Sequence, residues 1–488
     1  MRVKRTSLIL RPDCSRVFFR PFELRSPEQL TRTLARVMSL TEQQAESEAR
    51  SILVDFVARH QRLNEFLLQR FAQVQAELPT DVPVSPARRL LLGAYLTQEY
   101  SLEAAALFNP SIVEHPDQSD LPTGSLRFVL SLRATGEGHV SSIVFRTGII
   151  DGEGTISVIE PTRFVTAAEV LPNMSYEKKL FEQKLWELGL LNGFAVDVLA
   201  QLGEVFTWEQ LHGTVARGLR RDRQHRLDEE DVARGVLALA RANYAVSFAD
   251  TTRLSERVIF PSSPTESRGI EDARFVLFRD EDGSRRYYAT FTAFDGHVAL
   301  PQLLETDDFV RFNISTLNGP EVRNKGMALF PRRINGCYAM LSRQDNENIY
   351  LMYSDMLHFW YEKRLLLRPT YPWEFVQIGN CGSPIETDAG WLVLTHGVGP
   401  MRRYAIGAVL LARDDPTRVI GRLREPLLLP TESEREGYVP NVVYSCGALV
   451  HAGRLILPYA MSDQCASFAT VCLAELLGEL TAHGAEAQ

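Results

Sequence analysis

Residues 286–292 read RYYATFT, a short aromatic and β-branched run of the kind that forms strands. Segments of similar character follow at 336–342 (GCYAMLS), 390–396 (GWLVLTH) and 453–460 (GRLILPYA), with polar residues at or just past each end. They recur roughly every 50 to 65 residues, a period typical of β-propeller blades. Residues 125–148 supply a fifth segment, so the sequence predicts a five-bladed β-propeller whose inner strands converge on a central pocket. A β-sandwich is the alternative, although its turns would lie closer together.

Two helical stretches accompany the predicted strands. Apolar residues recur at helical spacing between residues 26 and 105, and again between 176 and 242. The sequence therefore predicts a mainly β chain with three parts. These are an N-terminal helical region at 1–105, a propeller domain at 106–475 with a helical insertion at about 174–243, and a C-terminal tail at 476–488.

Charge and composition exclude several classes of protein. The 488 residues carry a net charge of −8, which argues against a general nucleic-acid binder. No apolar run approaches the roughly 20 residues that span a bilayer, and the run at 8–10 is too short for a signal peptide. The six scattered cysteines form no CxxC pair, so neither a zinc site nor a redox motif is expected. The sequence predicts a cytoplasmic protein without membrane or nucleic-acid partners, and it leaves a homo-oligomer open.

The polar residues near the strand ends are candidates for chemistry. The stretch 268–274 reads RGIEDAR, which in isolation favours a solvated turn with a surface ion pair. Other polar residues at such ends are weak signals singly, but together they offer two cations, an imidazole and a phenol, a set that suits phosphate. No GxxxxGK[ST] loop is present, so inorganic phosphate is favoured over a nucleotide. These residues are Lys325, Arg343, His396 and Tyr404.

A second group of residues suggests sugar recognition. Asp463 closes the final predicted strand, where it either caps a loop or binds sugar hydroxyls. Trp360, Trp373 and Trp391 are candidates for aromatic platforms, although buried packing is the commoner fate of tryptophan.

Five motifs in matching order resemble those of glycoside hydrolase family 130, the inverting β-mannoside phosphorylases and β-mannosidases. The similarity covers about residues 105–475. Two motifs depart from the family pattern: Glu-Asp-Ala-Arg replaces Glu-Asp-Pro-Arg, and Asn-Lys-Gly replaces Asn-Lys-Asp, which indicates a divergent subgroup. The helical parts look like those of longer members, which include enzymes acting on β-1,2-linked oligomannosides. The motifs are 270–274 (IEDAR), 324–326 (NKG) with 329–331 (LFP), 396–398 (HGV), 414–416 (DDP) and 439–443 (VPNVV).

The resemblance implies a five-bladed propeller and a role for each matching residue. Asp272 is implied to be the general acid, which protonates the leaving oxygen indirectly through the 3-hydroxyl of the bound mannose. The implied phosphate-binding residues are Arg274, Lys325, Arg343, His396 and Tyr404. The implied mannose-binding residues are Arg133 and Asp463, joined by Asn109 and Ser111 on a looser match.

The expected reaction is inverting phosphorolysis of β-mannosides, most specifically β-1,2-linked manno-oligosaccharides. It would consume inorganic phosphate as co-substrate and give α-D-mannose 1-phosphate and a shortened acceptor, without a metal or a cofactor. An inverting β-mannosidase that uses water is the alternative, with Glu432, Glu434 or Glu436 as base, although an exposed acidic loop is the preferred interpretation of these glutamates. A sugar-binding propeller without enzymatic activity is the third hypothesis.

Overall fold

The computed structural model describes residues 2–78, 83–171, 175–221 and 226–482. Strands make up 38% and helices 27%, so the chain is mainly β, as predicted. The helices are α1 (Pro27–Met38), α2 (Glu42–Phe56), α3 (Leu63–Val74), α4 (Pro86–Tyr95), α5 (Lys178–Glu187), α6 (Gly193–Ala200), α7 (Trp208–Arg221), α8 (Arg226–Arg241) and α9 (Leu473–Ala482).

The strands run through most of the remaining chain. Up to residue 259 they are β1 (Lys4–Leu10), β2 (Val17–Pro21), β3 (Thr97–Ser101), β4 (Ala106–Glu114), β5 (Leu126–Thr135), β6 (Ser141–Ile150), β7 (Ile156–Val158), β8 (Thr166–Ala167), β9 (Glu169–Leu171), β10 (Ser175–Glu177), β11 (Val205–Thr207), β12 (Tyr244–Ser247) and β13 (Arg257–Ile259). From there they are β14 (Gly269–Arg279), β15 (Arg285–Phe294), β16 (Ala299–Thr306), β17 (Arg311–Thr316), β18 (Lys325–Leu329), β19 (Tyr338–Arg343), β20 (Ile349–Ser354), β21 (Lys363–Leu367), β22 (Gln377–Asn380), β23 (Ile385–Thr387), β24 (Gly390–Val398), β25 (Tyr404–Leu411), β26 (Val419–Arg422), β27 (Val443–Tyr444), β28 (Leu449–His451), β29 (Arg454–Met461) and β30 (Cys465–Cys472).

Each repeated segment of the sequence lies in a strand with hydrogen-bonded neighbours on both sides. The segments at 286–292, 336–342, 390–396 and 453–460 lie in β15, β19, β24 and β29. The larger sheets are β4-β5-β6-β14-β15-β16-β17-β12-β9 with β7, β8 and β13 at its side, β18-β19-β20-β21, β22-β24-β25-β26 with β23, and β1-β30-β29-β27 with β28. Within the first sheet, β6 and β14 are joined through one residue pair, Ser141 with Gly269.

The helices α1 to α4 form where the spacing of apolar residues predicts them. Ser26 accepts a hydrogen bond from the Gln29 amide at the start of α1, and Pro27 occupies its first turn. The four helices bury a shared apolar cluster that includes Leu34, Phe71 and Leu91.

The helical insertion has an apolar cluster of its own. Helices α5 to α8 pack around Phe181, Leu185, Leu211 and Val236. Helices were predicted most clearly at 178–190 and 229–242, and α5 and α8 confirm both. Position 174, the predicted start of the insertion, lies outside the described residues.

Both ends of the chain differ from the prediction. The region at 1–105 is not wholly helical, because β1 pairs with β30, Lys4 opposite Thr470, and β2 pairs with β3. The predicted tail at 476–488 is wrong for residues 476–482, which belong to α9. Its side chains Leu476 and Leu480 are fully buried in the apolar cluster under the last sheets. Residues 483–488 lie outside the described residues.

Candidate active site

Asp272 stands on a bulge in β14. The pairing of β14 with β15 shifts register between Glu271 and Arg274, and Asp272 has a φ of 54°, a left-handed value that is strained for a residue with a side chain. Its carboxylate accepts a hydrogen bond of 2.6 Å from Asn109 Nδ2, and Arg133 Nη1 lies 3.4 Å from the same oxygen. A bulge of this kind re-aims one side chain out of the strand ladder, and here that side chain is the predicted acid.

A second bulge faces the first. The register of β4 against β5 shifts between Phe108 and Ser111, and Asn109 has a φ of 48°. The looser sequence match at Asn109 therefore identified a direct partner of Asp272. Ser111 differs from expectation: it is fully buried, and its hydroxyl accepts a hydrogen bond of 3.0 Å from the Phe275 amide. This hydrogen bond ties β4 to β14, and a contact between Ser111 and mannose stays a prediction.

Cations surround the Asp272 carboxylate. Burial raises the pKa of Asp272, but Arg133, Arg274, the Asn109 hydrogen bond and Lys325 together lower that pKa below its ordinary value. The group is therefore ionised at neutral pH in the ligand-free protein.

Arg274 connects Asp272 to the basic part of the site. It is 2% exposed, and its Nη1 donates 2.9 Å to the Asp272 carbonyl oxygen, while Nη2 lies 3.8 Å from Asp272 Oδ2. Nη2 also donates 2.6 Å to the Tyr444 hydroxyl. Burial raises the pKa of Tyr444 well above its ordinary value, so its phenol stays neutral.

His396 and Arg343 complete the basic part. Arg343 Nη1 donates to His396 Nε2 at 2.9 Å, which makes that ring nitrogen the acceptor of a neutral imidazole. Burial, Arg343 and Arg274 lower the pKa of His396 well below its ordinary value. The His396 ring lies 6.0 Å from the Tyr404 ring in a stacked arrangement and 4.9 Å from the Tyr444 ring, edge to face.

Space for this arrangement depends on a glycine. A Cβ at Gly379 would lie 2.4 Å from His396 Cε1 and 3.1 Å from Arg343 Cδ. Any larger residue at this position of β22 would therefore force His396, and to a smaller extent Arg343, to shift.

Lys325 faces an acidic neighbour. Its Nζ lies 2.6 Å from Glu271 Oε2, and the other oxygen of Glu271 accepts 3.0 Å from Arg133 Nη2. The backbone of Lys325 pairs with that of Arg343 across β18 and β19. Lys325 thus lies at the site, ion-paired to Glu271, and its contact with phosphate remains a prediction.

Asp463 is the second carboxyl of the site. It follows β29 in a turn with a φ of 51°. Burial and the charge of Asp272 raise the pKa of Asp463 to about 6, against the opposing effects of Arg133 and Arg402. The charge of Arg133 acts to lower the pKa of both aspartates. Its Nε donates a 2.9 Å hydrogen bond to Ser141 Oγ, which fixes the position of the guanidinium. The two aspartates therefore have pKa values displaced in opposite directions.

Four residues of this site were not predicted from the sequence. Tyr444 directly follows the motif at 439–443, a position that was a usable signal, and Glu271 lies within the quoted motif at 270–274. Gly379 and Arg402 carry no local signal. Trp360, Trp373 and Trp391 are all buried with their indole N–H groups bonded to backbone carbonyls, which confirms packing over sugar platforms.

In residues 2–78, 83–171, 175–221 and 226–482, His, Cys, Asp and Glu side chains form no group of three placed to hold a metal ion. Of the helices in these same ranges, none combines the length and the apolar character needed to cross a bilayer.

Known proteins match this chain in sequence. The family model Glyco_hydro_130, described as beta-1,4-mannooligosaccharide phosphorylase, matches residues 221–481. The 1,2-beta-oligomannan phosphorylase of Thermoanaerobacter sp. (strain X514) is 37% identical over 235 residues, which are 46% of this chain and 76% of that protein. The beta-1,2-mannobiose phosphorylase of Listeria innocua serovar 6a is 32% identical over 231 residues, 46% of this chain and 63% of that protein.

A solved structure of beta-1,2-mannobiose phosphorylase from Listeria innocua, in complex with beta-1,2-mannobiose, has a TM-score of 0.47 and 21% identity; the match covers 78% of this chain and 93% of that one. The family model over residues 221–481 and the 37% identical relative together show to which family the chain belongs. As its motifs predict, the chain belongs to glycoside hydrolase family 130.

Proposed function

We propose that this protein cleaves β-mannosides by inverting phosphorolysis, with β-1,2-linked manno-oligosaccharides as substrates and α-D-mannose 1-phosphate and a shortened acceptor as products. The observation that supports this most is that Arg343, His396, Tyr444 and Arg274 form one chain of contacts that reaches Asp272. The choice of a β-1,2 linkage follows the names of the two relatives above, 1,2-beta-oligomannan and beta-1,2-mannobiose phosphorylase.

The fold that we propose for this reaction is a five-bladed β-propeller at residues 106–475. Two features support it: five antiparallel units are built around the repeated segments, and the first of them meets the second through a single residue pair. The N-terminal helices and the insertion would then be additions at its edge.

Phosphate would bind where cations meet neutral donors. Arg274 and Arg343 supply guanidinium N–H groups, and Tyr404 and Tyr444 supply phenols. Because phosphate is already nucleophilic, the site has to position it and offset its charge, and needs no base to deprotonate it. The neutral His396 imidazole, with Nε2 bonded to Arg343, would hold that guanidinium in place.

The bond changes follow from this placement. A phosphate oxygen attacks the anomeric carbon from the face opposite the leaving group, the C1–O bond to the acceptor breaks, and the β configuration becomes α. The leaving oxygen takes up a proton, which Asp272 supplies through the mannose 3-hydroxyl. The two reactants are thus a glycoside and phosphate, and no water is consumed.

Phosphate binding would also prepare the acid. Asp272 is ionised in the ligand-free protein because Arg274 and its other cationic neighbours lower its pKa. A phosphate dianion placed among these cations offsets their field, and the pKa of Asp272 rises. The acid would therefore become protonated only when its co-substrate is present.

The hydrolytic alternative lacks a suitable base among the glutamates considered for it. Glu434 is 5% exposed and ion-paired with Arg5 at 2.9 Å, and it also accepts 2.6 Å from the Tyr459 hydroxyl. Glu432 and Glu436 are exposed. The non-enzymatic alternative is disfavoured by the relatives, which are named as phosphorylases.

The test is turnover of β-1,2-mannobiose with and without phosphate. Product released only with phosphate, and identified as the α-anomer of mannose 1-phosphate by NMR, supports the proposal. Free mannose formed equally fast without phosphate contradicts it. We expect Asp272→Asn to reduce kcat by about a hundredfold or more, since a positioned acid contributes about 10² to 10⁴.

A further inference from the structure

His139 and Tyr438 form an exposed aromatic stack that none of the roles above uses. Their ring centroids are 5.5 Å apart at an interplanar angle of 28°. Both residues are exposed, Tyr438 by 62%, although they are distant in the chain. Two aromatic rings held together in solvent are unusual for packing alone, because stacking normally accompanies burial.

The two residues of the stack lie close along the backbone to the predicted mannose-binding residues Asp463 and Arg133. On one side, the amide after Tyr438, that of Val439, donates 3.0 Å to the carbonyl of Ser462, the residue before Asp463. On the other side, His139 lies two residues before Ser141, whose hydroxyl binds Arg133. The two rings thus come from loops whose neighbouring residues contact Arg133 on one side and adjoin Asp463 on the other.

The loop that carries His139 is held by the N-terminal region. His139 has a φ of 60° in the turn between β5 and β6. The hydroxyl of Tyr100, a 2% exposed residue of β3, donates 2.9 Å to the Glu137 carbonyl and lies 3.3 Å from that of Val140. A Cβ at Gly136 would lie 2.3 Å from the Ser101 carbonyl oxygen, so the turn rests directly on β3.

We propose that His139 and Tyr438 form an aromatic wall that binds the acceptor-side sugar of the manno-oligosaccharide, and that Tyr100 positions this wall. The inference rests on the proposed phosphorolysis. Pyranose rings present apolar C–H faces. An aromatic ring of fixed orientation can pack against such a face while the polar group of the aromatic side chain stays in water. The donor mannose is recognised by charged and polar groups, so the wall provides the apolar component that a longer substrate needs.

The main test is Tyr438→Ala, with Tyr438→Phe as the conservative variant. We expect the KM for β-1,2-mannotriose to rise about tenfold in Tyr438→Ala, the effect of losing about 1.4 kcal/mol. The KM for phosphate should change by less than about twofold, and Tyr438→Phe should behave like the wild type. Tyr95→Ala, which removes a 50% exposed tyrosine on α4, is the matched control. An unchanged KM for mannotriose, or an equal rise in both KM values, would overturn the wall.

The positioning role of Tyr100 has its own test. Tyr100→Phe keeps the buried ring and removes the hydroxyl, so we expect a smaller rise in the mannotriose KM, about threefold. In the Tyr438→Ala background the same substitution should have a clearly smaller effect, because only His139 of the wall is left to position. Additive effects in this double-mutant cycle would contradict the positioning role.

The proposal can be separated from the proposed function. Absence of phosphate-dependent turnover in the wild type would contradict the proposed function. The affinity of the wild type and of Tyr438→Ala for mannotriose could still be measured by calorimetric titration, and it would test the wall by itself. Roughly tenfold weaker binding to the variant supports it, and equal binding contradicts it.

Discussion

The two halves of the site differ in how their charged groups are arranged. Around Asp272 and Asp463, acids alternate with Arg133 and Lys325, and the groups keep partial contact with solvent. Around Arg343 and His396, a buried cationic group is joined to a neutral imidazole and to the neutral phenol of Tyr444. The first half contains both acids and bases, whereas the second joins a buried guanidinium to uncharged rings, and it is there that we propose phosphate binds.

The largest expected effect is at Arg343. Arg343→Ala removes a guanidinium from the buried half, and we expect kcat/KM for phosphate to fall about a hundredfold, since a charged hydrogen bond contributes about 1.5–3 kcal/mol. The measurement is initial rate against phosphate concentration. Arg333→Ala is the control, since Arg333 pairs with Asp280 away from the site. A fall of similar size in that control would show a general effect on folding.

The two aspartates should affect stability with opposite signs. The pKa of Asp463 is raised to about 6, so its contribution to stability is present below about pH 4 and is lost as the pH rises through 6. Asp463→Asn should therefore gain about 1–3 kcal/mol on the wild type between pH 4 and pH 7. The pKa of Asp272 is lowered, so its contribution is present at neutral pH and is lost in acid. Asp272→Asn should be less stable than the wild type at pH 7, by a difference that shrinks as the pH falls.

Urea denaturation at pH 4, 5, 6 and 7 measures both trends. The wild type serves as reference at every pH, so effects common to all three proteins cancel. If both variants changed the free energy of unfolding in the same direction at pH 7, the contrast between the two carboxyls would be contradicted.

A smaller effect on phosphate binding is expected from a larger side chain at Gly379, in the half of the site that contains Arg343 and His396. In Gly379→Ala the added methyl group would displace His396 and the Arg343 side chain, and we expect the KM for phosphate to rise about tenfold while the KM for mannobiose changes little. Gly193→Ala is the matched control, because a Cβ there meets no atom within 4 Å. An unchanged phosphate KM would show that the cluster tolerates the shift.

The smallest effect is expected at Lys325. Its Nζ is paired with Glu271, so Lys325→Gln should raise the phosphate KM less than about threefold, as befits a partly exposed ion pair. A rise comparable with that of Arg343→Ala would show that Lys325 leaves Glu271 and binds phosphate directly. This variant therefore decides to which half of the site the lysine belongs.

Sequence predicted the parts of the molecule that local pattern determines. Periodicity located the helices and the repeated strands; short motifs singled out Asp272, Arg274 and His396, and the end of a repeated strand singled out Arg343, four residues whose roles stay predictions. What it missed depends on distant pairing: Arg402 acts on Asp463 across 61 positions, and β1 completes a sheet with β30. Ser111 shows the converse limit, since its position in the chain gave no indication that its hydroxyl faces inward to a strand amide.

The pairing of β1 with β30 has a consequence for biosynthesis. Lys4 lies opposite Thr470, so β1 waits for a partner strand that is translated more than four hundred residues later. The same strand carries Arg5, which binds Glu434 just ahead of the loop that bears Tyr438. Closure of the last sheet and anchoring of that loop therefore belong to one late event, and a nascent chain released before residue 470 would expose an unpaired strand edge that favours aggregation.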